Sequence, residues 1–553
     1  MKKFMYIWLL GAVMMTLSSC EGNFDAKIYG TLSTTNFPNT SDDYENYLMD
    51  MYIPFCSQWS YTYSGSSYTQ RQWYCCTGGI VKYFDQASDI MAVYNINKDN
   101  VKSAWGDMPK CNFENFKYVA RSASDEYPNH FEKIREISRF TVSIQTLEDA
   151  DASKFTGNKK AELVGEARLL RGLMMYYMMH VFGPVPVILD ASLVGNSAEE
   201  AKLVRPSLDE MTQYITADFE YAVENMAETQ SEKGRYNRDF ARFCLMHHYL
   251  NEGYHMDGYY QKAYNLYNQF KGSYKLFDSG TNPYVDLFKE SNDFNSEIVM
   301  AMSCSTAGTG SAANGNMNCW TYYCYPKNVY AVDENGNSID PFCNQNRGAG
   351  AGWGQYFSVN KSFYDSFESG DLRKEAIITR FRSKSFSDNN GWVTPDDLGT
   401  KWDGYIANKY YPESATTQYQ GNDIALARWA DVLLMYAEAD VRLNNTVSQS
   451  AISCVNQVRN RAGLANLTAD KTSSVSAFLD ALLEERAHEL WFEGFRKIDL
   501  IRFGKYYTTM NALGRTPTSE YIPIPDYAVE QAKNSGYELK QYFTRDNYDG
   551  PKL

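Results

Sequence analysis

The sequence predicts an all-α scaffold of stacked helix pairs that carries loop-rich insertions. Three observations support this. Apolar residues recur at helical spacing over most of the chain, several such segments are joined in pairs by short turns, and a stretch between about 290 and 420 replaces the pattern with glycine-rich, aromatic loops. The chain has 553 residues, and single cores stop growing at ~250–300 residues. Two lobes, or one extended helical array with insertions, are therefore expected.

The first nineteen residues read as a leader and not as fold. Lys2 and Lys3 precede the short apolar run "FMYIWLLGAVMM", and "LSSC" closes it at Cys20. A basic start, an apolar run and small residues before a cut make a secretory signal, and the run is shorter than the roughly 20 residues of a spanning helix. Leu17-Ser18-Ser19-Cys20 resembles the lipobox of bacterial lipoproteins, which implies cleavage before Cys20 and acylation of its thiol. Each buried methylene of an acyl chain contributes ~0.8 kcal/mol, so several chains hold a protein firmly on a membrane. Residues 20–41 then serve as anchor and tether.

A helical region is expected over 42–289. "DDYENYLMDMYIPF" opens it with acidic residues, and Phe131, Ile134, Ile137, Phe140 and Ile144 form one amphipathic stripe. Gly172 to Leu189 carries no formal charge, which is near the threshold for a membrane span. Pro184 and Pro186 end any helix near Phe182, so a buried helix followed by an extended segment is predicted. The region 290–420 is loop-rich. In 421–553 the helical pattern returns, and "RWADVLLMYAEADVRLNN" followed by "TVSQSAISCVNQVRNRAGL" resembles a tetratricopeptide-type helix–turn–helix, without a clean 34-residue repeat.

Composition excludes some functions. A net charge of −14 argues against nucleic acid, whose binding rests on Lys and Arg neutralising phosphates. There is no HExxH, no P-loop and no histidine ligand spacing, so no metal and no cofactor is expected. Cysteines after Cys20 show no CxxC pair; Cys319 and Cys324 flank an aromatic loop and could bridge, but sequence does not give connectivity.

Aromatic residues make up 15% of the chain, and those in loops carry the functional signal. Sugars present flat C–H faces and rings of hydroxyls, which suit Trp and Tyr. Trp59, Tyr61, Trp73 and Tyr74 form one candidate group, and Trp320, Tyr322, Tyr323 and Tyr325 another, with Arg71 and Asn328 as donors to hydroxyls. Trp353 and Tyr356 stand in a third aromatic loop.

The densest cluster of charge is "EERAHELWFEGFRKIDLIRFGK" at 484–505. On one helical face Glu489 and Glu493 would lie about 6 Å apart along the axis, close to the ~5–5.5 Å of retaining glycosidases. Arg486 stands three residues before Glu489 and Arg496 three after Glu493, spacings that pair opposite charges on a helix. A neighbouring cation lowers a carboxylate pKa, whereas a general acid needs it raised. Glu485, Arg486, Glu489, Glu493, Arg496 and Asp499 are therefore expected to form a partly buried ionic lattice pinning helices together, with Arg502 beside them and Gly494 ending the helix. No catalytic residue is assigned.

These residues also carry a resemblance. "ERAHELWFEGFRKIDLIRFGK" resembles the signature of the SusD/RagB family of outer-membrane glycan-binding lipoproteins. So do, in order, "ASDIMAV", "AELVGEARLLRGLMMYYMMHVFGPVPVIL", "LARWADVLLMYAEADVRLNN" with "VNQVRNRAGL", and "YIPIPDYAVEQ". Gly172 stands where Ala is usual, and Ala487 where Arg is common. The resemblance implies an all-α fold on tetratricopeptide-like pairs with small β elements. It implies a lipid-anchored, non-catalytic protein on the outer face of the outer membrane, which captures a glycan and passes it to a SusC-like TonB-dependent transporter. A peptide-capturing relative and a surface carbohydrate-active enzyme are the alternatives.

Overall fold

The structure, a computed structural model, describes residues 37–63, 66–92, 108–111, 113, 130–305, 316–325, 329–331, 357–379, 381–383, 392–393, 404–413 and 419–545. The leader, Cys20, Asn328, Trp353 and Tyr356 lie outside the described residues, as do the side chains of Trp59 and Tyr61. The chain falls into two compact units, Met1–Tyr47 and Leu48–Leu553.

Helix α1 (Ser41–Met49) starts from a reciprocal cap. The Asp43 N–H donates to Thr40 Oγ1 at 3.2 Å and the Thr40 N–H to the Asp43 carboxylate at 2.9 Å, which satisfies donors that a helix start leaves orphaned.

In the large unit, α2 (Ile134–Asp149), α3 (Lys159–Phe182), α4 (Leu208–Asn225), α5 (Arg238–Glu252) and α6 (Tyr259–Leu266) pack each on the next in chain order. The array continues through α7 (Trp429–Asn444), which packs on α6, and α8 (Gln449–Arg461), which packs on α7. Helix α9 (Val475–Leu490) packs on α7, and the short α10 (Arg496–Arg502) on α9 and α5. The starts are marked by side-chain oxygens: Ser207 makes a capping box with Glu210 on α4, Asn237 caps α5, Ser448 caps α8 and Ser474 caps α9. This is the stack of helix pairs expected from the pattern.

Helix α3 sits in the middle of the early helices and is buried almost all round. It stops at Phe182, before Gly183 at φ +75° and the two prolines. Gly172 explains its closeness to α4: a Cβ there would stand 2.7 Å from Phe219 and 3.2 Å from the Asp218 Cβ. Next to it, Arg171 grips both carboxylate oxygens of Asp218, at 2.8 and 2.7 Å. Among the described residues no helix is long and apolar enough to cross a membrane.

The strands are short and antiparallel. β1 (Gln58–Tyr63) and β2 (Ser66–Arg71) form a hairpin with Gln58 opposite Arg71. β3 (Ile298–Met302), β4 (Ser358–Asn360), β5 (Ile377–Ile378), β6 (Gly404–Ala407) and β7 (Ile424–Arg428) make two small sheets, β3 with β7 and β4–β6–β5. A third joins Val329–Ala331, Phe381–Ser383 and Trp392–Val393.

One boundary differs from expectation. Helix α9 ends at Leu490, four residues before Gly494. Phe492 at φ +63° and Gly494 at φ +86° turn the chain, and the Asp85 carboxylate accepts the N–H groups of Gly494, Phe495 and Arg496 at 2.7, 3.1 and 3.0 Å. A carboxylate from a segment about 400 positions away thus supplies the oxygens that start α10.

Candidate functional site

Three places were candidates on sequence or shape: the charged turn between α9 and α10, the aromatic loops, and an open cleft. The charged turn is a closed structure. Glu489 is fully buried, and its carboxylate meets Arg428 at 2.7 Å, Arg373 at 3.3 Å, and Arg461. Arg428, at the end of β7, also holds Glu297 at 2.5 Å and both oxygens of Glu493 at 2.8 and 2.7 Å. Lys409 reaches Glu493 at 2.5 Å. Glu485 takes Arg373 at 2.6 Å and Arg459 at 3.2 Å. Arg486 bridges Asp431 at 2.6 Å and Asp499 at 2.9 Å, and Arg502 binds Asp499 at 2.7 Å and Glu438 at 2.9 Å. Arg496 forks onto Asp89, of the "ASDIMAV" motif, at 2.8 and 2.7 Å.

The pairing differs from the helical spacing in one respect. Ion pairs join Arg486 to Asp431 and Asp499 in place of Glu489, and Arg496 to Asp89 in place of Glu493. With α9 ending at Leu490, Glu493 lies in the turn, so the premise of one continuous helical face fails; the partners come from β7, α7 and the segment at 89. Charge state follows contact. Burial pushes the Glu489 carboxyl up, but Arg461, Arg428 and Arg373 outweigh it and hold it well below the ordinary range. Burial acts likewise on Asp431, where Arg486 and His247 prevail. Such carboxylates are poor general acids, and the guanidinium groups leave no room for a substrate between them. The lattice ties β7, α7, α8, α9 and α10 into one joint.

The aromatic candidates divide by exposure. Trp73 has no exposed surface: it stacks on His130 at 4.1 Å with an 8° tilt, and its Nε1–H donates to Met174 Sδ of α3 at 3.3 Å. Tyr74 is 4% exposed, its hydroxyl 3.2 Å from that of Tyr177. Trp320 packs edge-on against Phe357 and Phe492, both at 5.2 Å, and Tyr323 and Tyr325 are buried in the same region. These five were expected to offer ring faces to a sugar; in the structure the packing that fixes each segment to the scaffold occupies those faces. Tyr322 and Arg71 are half-buried and keep accessible surface. Tyr322 stands edge-on to Tyr323 at 5.1 Å, and Arg71 donates to Gln58.

The cleft has a volume of ≈480 Å³ and is lined by Asp50, Tyr52, Phe55, Tyr236, Met302 and Asn316, among others. Tyr52 and Tyr236 form one wall, ring centroids 4.7 Å apart. The Tyr52 hydroxyl donates to Glu166 at 2.5 Å and accepts the Tyr236 N–H at 3.1 Å, and Arg235 forks onto Glu166 with both bonds at 2.9 Å. The wall is therefore rigid. Asp50 and Asn316 are exposed at its edge. Flat apolar rings beside exposed carboxylate and amide groups can hold a polyhydroxylated ring.

Sequence reasoning misses the ring wall of this cleft and most partners of the lattice. Tyr52 falls in the stretch that opens the expected helical region, and Tyr236 carries no signal in "GRYNRD". Arg428 did carry one: an arginine closing the apolar run Ile424–Arg428 has to be paired if the run is buried. Among the described residues no group of His, Cys, Asp and Glu could hold a metal ion.

Comparison with known proteins adds the following. A family model described as "SusD family" matches residues 296–544, and one described as "Starch-binding associating with outer membrane" matches 82–250. A SusD-like protein of Bacteroides ovatus is 28% identical over 66% of this chain and 63% of its own length, so the match leaves over a third of that relative uncovered. Among solved structures, a laminarin-binding SusD-like protein aligns with TM-score 0.67 at 20% identity, covering 89% of this chain and 98% of that one. Surface glycan-binding protein A from Bacteroides thetaiotaomicron, in complex with laminarihexaose, aligns with TM-score 0.66 at 18% identity over 91% and 99%.

Proposed function

Because this chain belongs to the SusD/RagB family, we propose that it is a non-catalytic capture protein for oligosaccharide on the outer surface of the outer membrane, held there by acylated Cys20. It passes its cargo to a SusC-like TonB-dependent transporter. One observation carries this reading: the fold is shared over nearly the whole length of proteins described as binding laminarin and surface glycans. The charge-rich motif supports it as well, since Glu489 at its centre is occupied by Arg461, Arg428 and Arg373 and held ionised. The glycan-facing surface comprises the cleft edge at Asp50, Tyr52 and Asn316, together with Tyr322 and Arg71.

The test is binding of soluble protein from residue 21 onward to a panel of purified glycans, with the same tubes assayed for new reducing ends. Binding to one glycan class without cleavage is the expected result. Cleavage that Glu489→Gln abolishes would overturn the non-catalytic role, and binding to peptides alone would replace the cargo.

A further inference from the structure

The turn between α5 and α6 places His255 between two carboxylates. Its Nδ1–H donates to Asp209, in the first turn of α4, and its Nε2–H to Glu252, the last residue of α5, both at 2.9 Å. An ionised carboxylate only accepts hydrogen bonds, and a neutral imidazole carries a single N–H. Two such bonds from one ring therefore need both nitrogens protonated. Glu252 is itself shared. Its other oxygen takes Arg545 of the C-terminal segment at 3.4 Å, and Arg545 also stands over the Tyr254 ring at 4.2 Å.

We propose that His255 is an imidazolium clip that fastens the start of α4 to the end of α5 and opens when the ring loses a proton. A neutral ring keeps one N–H and turns a lone pair on the other carboxylate. Glu252 is buried and anchored by Arg545, whereas the Asp209 side chain is 67% exposed and can turn to water. The Asp209 bond is the one released, and with it the hold of the α5–α6 turn on α4.

The groups around the clip set its direction. His248 of α5 and His180 of α3 act on the clip and on Glu252, and burial keeps both neutral, at about 4 and about 3. The cations are Arg545 and, from α10, Lys497 and Arg502. Lys497 lines one small cavity with His180, Glu252 and Arg545, and Arg502 donates to Asn251 at 2.6 Å. Burial pushes Glu252 up, but Arg545 and His255 outweigh it and hold the carboxyl at about 2. Burial alone would lower His255; Glu252 and Asp209 outweigh it and raise the ring above its ordinary value. The clip is therefore fully made below the ~6.5 of an unfolded histidine and is lost as pH rises through the folded value. Burial lowers Lys497 to about 8, so alkaline loss of stability in the whole protein is not by itself a measure of the clip.

The experiment uses protein from residue 21 onward carrying isotope-labelled histidine, whose six rings are followed by NMR from pH 5 to pH 10. His255→Gln assigns the His255 signal. The expected result is a His255 midpoint above ~6.5 that Asp209→Asn brings down. A second readout is the gap in melting temperature between wild type and Asp209→Asn. Loss of the first-turn charge weakens α4 equally at every pH, and Lys497 is the same in both proteins, so only the clip makes the gap depend on pH. The gap should be wide at pH 6 and narrow at pH 10. A His255 signal with its midpoint at or below ~6.5, or a gap of equal width at both pH values, would overturn the clip.

Discussion

Around Glu489 three arginines close on one carboxylate; around Tyr52 and Tyr236 two aromatic rings and a few polar groups leave ≈480 Å³ open. Both places combine acid, arginine and aromatic residues, and both are rigid. The difference lies in what the hydrogen-bonding capacity is used for. In the joint it is used internally, because a buried charge without a partner costs several kcal/mol. At the cleft Tyr52 is bonded to Glu166 behind the ring wall, while Asp50, paired with Arg139, and Asn316 keep exposed surface at the edge. A dense charged motif is therefore a poor guide to a ligand site, and a sparse polar edge beside fixed rings is a better one.

That contrast is breakable by mutation. The largest effect is expected at Glu489→Ala, which leaves Arg428, Arg461 and Arg373 short of a counter-charge: breaking a buried pair costs ~3–5 kcal/mol. The check is thermal unfolding alongside glycan titration; a variant that loses affinity while keeping its melting temperature would mean that the joint contacts ligand. Trp73→Ala should destabilise by a similar ~3–5 kcal/mol through a core cavity, with affinity of the folded protein retained. An affinity loss without destabilisation would return Trp73 to the binding surface.

Acid should act on the joint through its paired carboxylates. Glu489 and Asp431 sit below the ordinary carboxylate range, and Glu438, pushed up by burial but pulled down by Arg502 and Arg442, lies at about 2. The unfolded chain, with carboxylates near ~4, binds protons that the folded state refuses, so stability is fully present above about pH 5 and is lost as pH falls through the folded values. Melting temperatures measured from pH 7 to pH 3 should be level and then drop; a drop already complete at pH 5 contradicts the assignment.

Gly172→Ala is expected to cost ~1–3 kcal/mol by overpacking against Phe219, read as a lower unfolding midpoint. Pairing it with Phe219→Leu should recover part of the loss. The smallest effect sharpens the open side: Tyr322→Ala or Asn316→Ala should weaken glycan binding about tenfold, or ~1.4 kcal/mol, at unchanged melting temperature. No change in titration for either would remove that residue from the surface.

Much of the fold was legible in the sequence because helices announce themselves locally. The 3.6-residue stripe of Phe131, Ile137, Phe140 and Ile144 and the proline stop after Phe182 are both written within a few residues of where they act. The all-α framework followed from such short-range chemistry, whereas the i,i+3 pairings expected around Glu489 and Glu493 gave way to distant partners. Only the tertiary structure decided which arginine meets which glutamate, that Asp85 ends the turn after Leu490 to start α10, and that Trp73 faces α3 while Tyr322 keeps accessible surface. Those outcomes depend on contacts between residues tens to hundreds of positions apart. Residue type and local period limit such contacts but do not select them, because burial and partner choice are fixed only when the distant segments come together.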